Sequence, residues 1–210
     1  MPETRLIEIL LKKEAVIFDL FHTLTSIEST LPPGPTTSDL LGITQKQWNE
    51  QLLERSHERL IGKIRDPLVF IEQMAHAINP EIPSDLIHRA AQNRIQGFRG
   101  ALLQISSSTR QILQKIKATG KKIGLLSNAD VSEMAGWAES PIAMLFDSVV
   151  FSCEVGYIKP EKEIYDISLR QLSVEPRKAV FVGDGGSREL EGAKEMGMTT
   201  VFISGLIREL

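Results

Sequence analysis

Asp19 stands directly after the apolar run Ala15-Val16-Ile17-Phe18, and Phe21 follows it two residues later. A carboxylate at the end of a buried strand is costly unless a cation or several donors partner it, and a phenylalanine is neither. Two further polar spots also close apolar runs: Ser127-Asn128 after IGLL, and Asp184 after AVFVG. Lys159 lies in the loop GYIKP, just before a proline. These residue types form a chemical set. A carboxylate attacks an electrophilic centre and carries a covalent intermediate. A hydroxyl such as Ser127, with a neighbouring backbone amide, holds a substrate oxygen. Lys159 offsets the charge of a carboxylate and its bound anion. Asp19 and Asp184 can share a hard cation through their oxygens.

Such a set works only if the chain brings its members together. Short apolar runs at 15–20, 122–127, 148–151, 179–183 and 199–203 read as strands. Helical spacing separates the later ones. The segment 106–117 opens on a serine/threonine cluster suited to capping and places Ile112, Leu113 and Ile116 on one face. The segment 161–172 follows Pro160 and carries Ile164, Ile167 and Leu172, and 186–196 carries Leu190, Ala193 and Met196 before Gly197. Alternating strands and helices predict an α/β fold, a doubly wound parallel sheet of Rossmann-like form. Ligands of such sheets bind outside the carboxyl ends of the strands, where Asp19, Ser127 and Asp184 fall. Residues 26–101 break the alternation. They open on the loop LPPGPTTSD and continue through helical stretches at 45–60, 66–78 and 84–98, too long for a simple crossover. The expected organisation is a core from 1–25 and 102–210, with a helical insert at 26–101.

Bulk properties narrow the function classes. The 210 residues carry 42% hydrophobic content, enough for a real core, and a net charge of -3. No basic run points to nucleic acid or an anionic membrane surface. The stretch RLIEILLKKEAV is broken by Glu8, Lys12, Lys13 and Glu14 and lacks a small-residue cleavage site, so it is not read as a signal peptide. No run is long and apolar enough to span a bilayer. The expectation is a cytoplasmic protein, monomer or homodimer, acting on a small molecule. The single cysteine, Cys153, reads as a small buried hydrophobe. VGDGGSREL partly imitates a dinucleotide fingerprint, but Arg188 occupies the place of its third glycine.

With these segments in view, the chain resembles the haloacid dehalogenase superfamily of hydrolases. FDLFHTLT resembles the first motif of that family, IGLLSN the second, GYIKPEKEIY the third and VFVGDGGSRELEGAKEMGM the fourth, in the family's order, from about residue 14 to 203. The resemblance implies that the insert is a cap closing over the crevice. It implies Asp19 as nucleophile and Mg²⁺ ligand, and a backbone carbonyl of Phe21 on the metal. Ser127 and Asn128 would meet the transferred group, and Lys159 would stabilise it. Asp184 would bind the metal, with Glu189 behind it.

Position 21 departs from the family's phosphatases, which carry there an aspartate that protonates the leaving oxygen and then activates water. Phe21 has no proton to give, and losing a positioned acid/base costs about 10²–10⁴ in rate. One surviving chemistry is slow phosphoryl transfer, with a good leaving group or with His22 as substitute acid, its ordinary pKa being about 6.5. The plainer reading of His22 is a side chain packed on the cap or facing solvent. The other chemistry is displacement of halide from a 2-haloacid, which needs no proton and no metal. The dehalogenase branch also carries an aromatic residue at this position. The haloacid carboxylate would then need a cation, and Arg94 and Arg99 are the candidates. A third possibility is a phosphate- or partner-binding relative that has lost turnover.

Overall fold

The computed structural model describes residues 12–25 and 34–204. The apolar part of RLIEILLKKEAV before Lys12, and the start of the insert at 26–33, lie outside the described residues.

Five strands, β1 (Ala15–Phe18), β2 (Lys122–Ser127), β3 (Ser148–Phe151), β4 (Ala179–Gly183) and β5 (Thr199–Phe202), form one parallel sheet in the order β3-β2-β1-β4-β5. The strand β1 is central, and all four of its residues are buried. A strand covered on both faces has no solvent side, so its sequence is a continuous apolar run. Phe18 stands in register with Leu125 on one side and Val182 on the other. Ser127 of β2 pairs with Phe151 of β3, and Gly183 of β4 with Phe202 of β5. These registers align the ends of β1, β2 and β4, so the loops leaving these strands meet at one edge. The chain runs outward from β1 through β2 and β3, then returns to β4 on the other side. The reversal opens a crevice beside β1.

Helices cover both faces. Val16 and Phe18 pack with Ile112 and Leu113 of a helix at Ser107–Ala118. Ala15 and Ile17 pack with Ile164, Tyr165 and Leu169 of a helix at Lys162–Leu172, and with Ala193 of a helix at Glu189–Glu195. The expected helix at 186–196 therefore begins later. Ser187 and Arg188 take left-handed backbone, and a single 3₁₀ turn precedes the helix.

The insert builds a third core. Its helices are α1 (Thr37–Leu41), α2 (Gln45–Glu54), α3 (Ser56–Leu60), α4 (Pro67–Ile78) and α5 (Ser84–Leu103). The core helices continue as α6 (Ser107–Ala118), α7 (Ser152–Val155), α8 (Lys162–Leu172) and α9 (Glu189–Glu195). Trp48, Phe70, Ile71, Met74, Ile87 and Ala90 are buried together in the insert. The side chains of Thr36 and Thr44 cap α1 and α2, each in a reciprocal capping box, and Asp66 caps α4. Two details differ from the sequence pattern. The stretch 45–60 is two helices meeting at Arg55, and α5 runs through Ala101 to Leu103. No helix among the described residues is long and apolar enough to cross a membrane. Cys153 is buried against Met134, and burial pushes its thiol up to about 12.

Candidate active site

The site is assembled from strand ends. Asp19 leaves β1 with its amide still donating to the Val182 carbonyl at 2.9 Å, which extends the ladder by one bond and aims the side chain over the sheet edge. Lys159, buried, donates from Nζ to Asp19 Oδ1 at 2.5 Å and also to Glu189 Oε2. Its ammonium lies 5.7 Å from the Phe181 ring centroid. Carboxylate oxygens of Asp19, Asp184 and Glu189 lie within 4.8 Å of one another. Residues far apart in the chain thus meet in one place.

Local chemistry holds each in position. The Asn128 side chain brackets the Lys159 backbone. Its Oδ1 accepts from the Lys159 amide at 2.7 Å and its Nδ2 donates to the Lys159 carbonyl at 3.1 Å. Asp184, half-buried, accepts from the Gly186 amide at 2.9 Å. Glu189 Oε1 accepts from the Gly185 amide at 3.2 Å, and the Glu189 carbonyl accepts from the Tyr165 hydroxyl at 2.9 Å. Gly183 makes room for that carboxylate: a Cβ there would lie 2.0 Å from Glu189 Oε1. Ser127 Oγ is buried with no hydrogen-bond partner among the described residues, as is Thr23 Oγ1 in the loop after Asp19. Buried hydroxyls without partners are uncommon, and Thr25 Oγ1 in the same loop is another.

The electrostatics follow from burial and charge count. Burial opposes the Lys159 ammonium, but the Asp19 and Glu189 carboxylates outweigh it and hold its pKa above the usual value. Burial, with the Asp19 charge adding to it, pushes Glu189 up to about 7 in spite of Lys159. One ammonium pairs with two carboxyl groups, and Asp184 adds a third beside them. Such a surplus of oxygen donors suits a hard divalent cation, so the residues present fit Mg²⁺.

Other expected contributors stand elsewhere. His22 is exposed, with a left-handed φ of 62°, and forms no hydrogen bond among the described residues. Phe21 is half-buried and meets Phe98 of α5 edge-on, centroids 5.6 Å apart. Arg94 is engaged by Asp130, Ser132 and Glu133, and Arg99 by Glu139. The arginines that a haloacid carboxylate would need are thus bonded to protein groups. Asn128, expected at the transferred group, bonds to Lys159. Sequence reasoning missed Asp130 and Arg59, which join Arg94 and Glu133 in a buried ion cluster between insert and core. Arg59 and Asp130 are 71 residues apart with no pattern linking them.

Comparison with known proteins gives one family. The sequence model described as haloacid dehalogenase-like hydrolase matches residues 13–197. A glyceraldehyde 3-phosphate phosphatase of Methanothermobacter thermautotrophicus is 30% identical over 110 residues, 52% of this chain and 49% of that protein. A bifunctional epoxide hydrolase 2 of Rattus norvegicus is 35% identical over 206 residues, 94% of this chain and 34% of that protein. The chain therefore spans between about a third and a half of these relatives. The structure of a HAD family enzyme from Bacteroides thetaiotaomicron, solved as a magnesium complex, superposes with a TM-score of 0.69 at 16% identity, over 92% of this chain and 94% of that one. At that identity the likeness is one of fold.

Proposed function

The chain belongs to the haloacid dehalogenase-like hydrolases, and from that premise we propose that it is a Mg²⁺-dependent phosphatase of a small phosphorylated metabolite, with Asp19 as nucleophile. The observation that carries this reading is the acidic surplus of the site: three carboxyl groups lie together, and the single buried lysine pairs with two of them. An Asp19 oxygen attacks phosphorus, and the bond from phosphorus to the leaving oxygen breaks with its electron pair going to that oxygen. Water then attacks the aspartyl phosphate, releasing inorganic phosphate and the free carboxylate. Lys159 and the unpartnered Ser127 hydroxyl meet the non-bridging oxygens as charge builds on them. Asp19, Asp184 and the Phe21 carbonyl would hold Mg²⁺, with Glu189 behind, and the ion would neutralise and orient the phosphoryl oxygens. Phe21 carries no proton, so leaving groups that depart unprotonated are favoured, unless the exposed His22 reaches the leaving oxygen.

The phosphatase relative supports this reading. C–halogen hydrolysis is the second reading, favoured by the aromatic residue at 21. The acidic surplus and the engaged Arg94 and Arg99 weigh against it. A screen of phosphate esters and 2-haloacids, with and without Mg²⁺, separates them. Phosphate release that needs Mg²⁺ and vanishes in Asp19→Asn supports the first. Halide release indifferent to Mg²⁺ replaces it with the second.

A further inference from the structure

Helix α5 reaches the core at two points, and each lies beside a strand end that builds the site. Arg94 and Phe98 are four residues apart, so they share one face of the helix. From that face Arg94 donates to Asp130 Oδ2 at 3.1 Å, to Glu133 Oε1 at 2.6 Å and to Ser132 Oγ at 3.0 Å. Its guanidinium lies 4.7 Å from the Phe98 ring centroid. Phe98 in turn meets Phe21 at 5.6 Å with the rings 76° apart, the edge-to-face geometry that aromatic pairs prefer. A continuous column, Asp130–Arg94–Phe98–Phe21, therefore runs out of the loop after β2, through the insert, and into the loop after β1.

Both ends of the column sit next to working groups. Asp130 is two residues beyond Asn128, which brackets Lys159. Phe21 is two residues beyond Asp19. The loop that Phe21 belongs to is tightly wound. Leu24 and Thr25 amides both donate to the Leu20 carbonyl, at 2.8 and 3.1 Å, and His22 is held at φ 62°. A left-handed φ is uncommon outside glycine, though histidine adopts it more readily than most residue types.

We propose that Phe98 and Arg94 are positioning residues: their column fixes the Leu20–Thr25 turn and so the direction in which Asp19 presents its carboxylate. Position 21 then serves as a bearing surface for the insert and not as a proton carrier. This rests on the reading of Asp19 as nucleophile. The aromatic pair supplies direction, and the ion cluster supplies stiffness, since a buried guanidinium cannot leave its carboxylates without stranding charge.

The test uses the whole protein with Phe98→Ala and the ring-retaining Phe98→Tyr. Amide hydrogen exchange is followed at Leu24 and Thr25, with Val180 and Val182 of β4 as internal reference. Turnover is followed with p-nitrophenyl phosphate. In Phe98→Ala, exchange at the two turn amides should quicken about tenfold while β4 is unchanged. The kcat should fall about tenfold to a hundredfold at nearly constant KM, and Phe98→Tyr should restore both. Unchanged turn exchange and kcat, with only a lower Tm, would reduce the column to ordinary packing. A raised KM at constant kcat would make Phe98 a substrate contact and also overturn the proposal. Should the unaltered protein release no phosphate from any ester, the phosphatase reading fails by itself, and the exchange comparison alone decides on the column.

Discussion

Two buried ion clusters lie within a few residues of each other along the strand ends, and they differ in arithmetic. In one, Lys159 pairs with Asp19 and Glu189, and Asp184 brings a third carboxyl group within 4.8 Å of theirs, so acidic groups outnumber the basic one three to one. In the other, Arg59 and Arg94 face Asp130 and Glu133, two against two. In the balanced cluster every charged group has an opposite partner. Burial alone would raise the Asp130 pKa, but Arg94, Arg59 and Ser132 hold it down at about 2. Burial prevails at one carboxyl group in each cluster: it raises Glu133 in the balanced one and pushes Glu189 up to about 7 in the other. What sets the second cluster apart is its surplus of acidic groups, and perturbed groups with such a surplus gather where a protein binds or reacts with something else. The comparison separates a joint between insert and core from a place prepared for a cation and an anion.

Substitutions can break this contrast. The largest effect is expected at the nucleophile. Asp19→Asn keeps the shape and should remove turnover to the limit of detection, a loss of more than about 10³, measured as phosphate release. Next is the balanced cluster. Asp130→Asn leaves two buried guanidinium groups short of a carboxylate and should lower stability by about 3–5 kcal/mol in denaturant titration. Added Mg²⁺ should not restore it, because the joint has no surplus of carboxylates for a cation. Asp184→Asn should do the reverse. Its effect on the stability of the metal-free protein is expected to be under about 1 kcal/mol, since the group is half-buried, while the Tm gain from Mg²⁺ should disappear. The smallest effect concerns pH. Because the folded-state pKa of Glu189 is raised, its contribution to stability is present below the ordinary carboxylate value near 4.5 and is lost as pH rises through about 7. In chelator-treated protein, Glu189→Gln should therefore gain on the unaltered chain by about 1–3 kcal/mol between pH 4.5 and 8, seen in paired unfolding curves.

The two clusters were unequally legible in the sequence, for a physical reason. Asp19, Ser127 and Asp184 each end an apolar run. A parallel sheet aligns its strand ends, so pattern and topology together bring them into one crevice. Glu189 was visible only through resemblance to a family motif. Nothing local connects Arg59 with Asp130, or Phe21 with Phe98. These contacts depend on how the insert seats against the core, and that is decided by packing between distant surfaces. Asn128 shows the same limit: its place beside Ser127 was legible, its partner was not. Backbone detail escaped too. The left-handed Ser187 and Arg188, which delay α9, contradict the ordinary preference of both residue types; the turn is accompanied by the Gly185 and Gly186 amides donating to Glu189 and Asp184 and by the close fit of Glu189 over Gly183.

The most direct measurement is a thermal shift with beryllofluoride, a mimic of the phosphoryl group on an aspartate, with and without Mg²⁺. Mg²⁺ and beryllofluoride together should raise the Tm well beyond either alone, and Asp19→Asn should abolish the combined gain. A combined shift no larger than the separate ones, or one that survives in Asp19→Asn, would mean that the carboxylates around Lys159 do not receive a phosphoryl group.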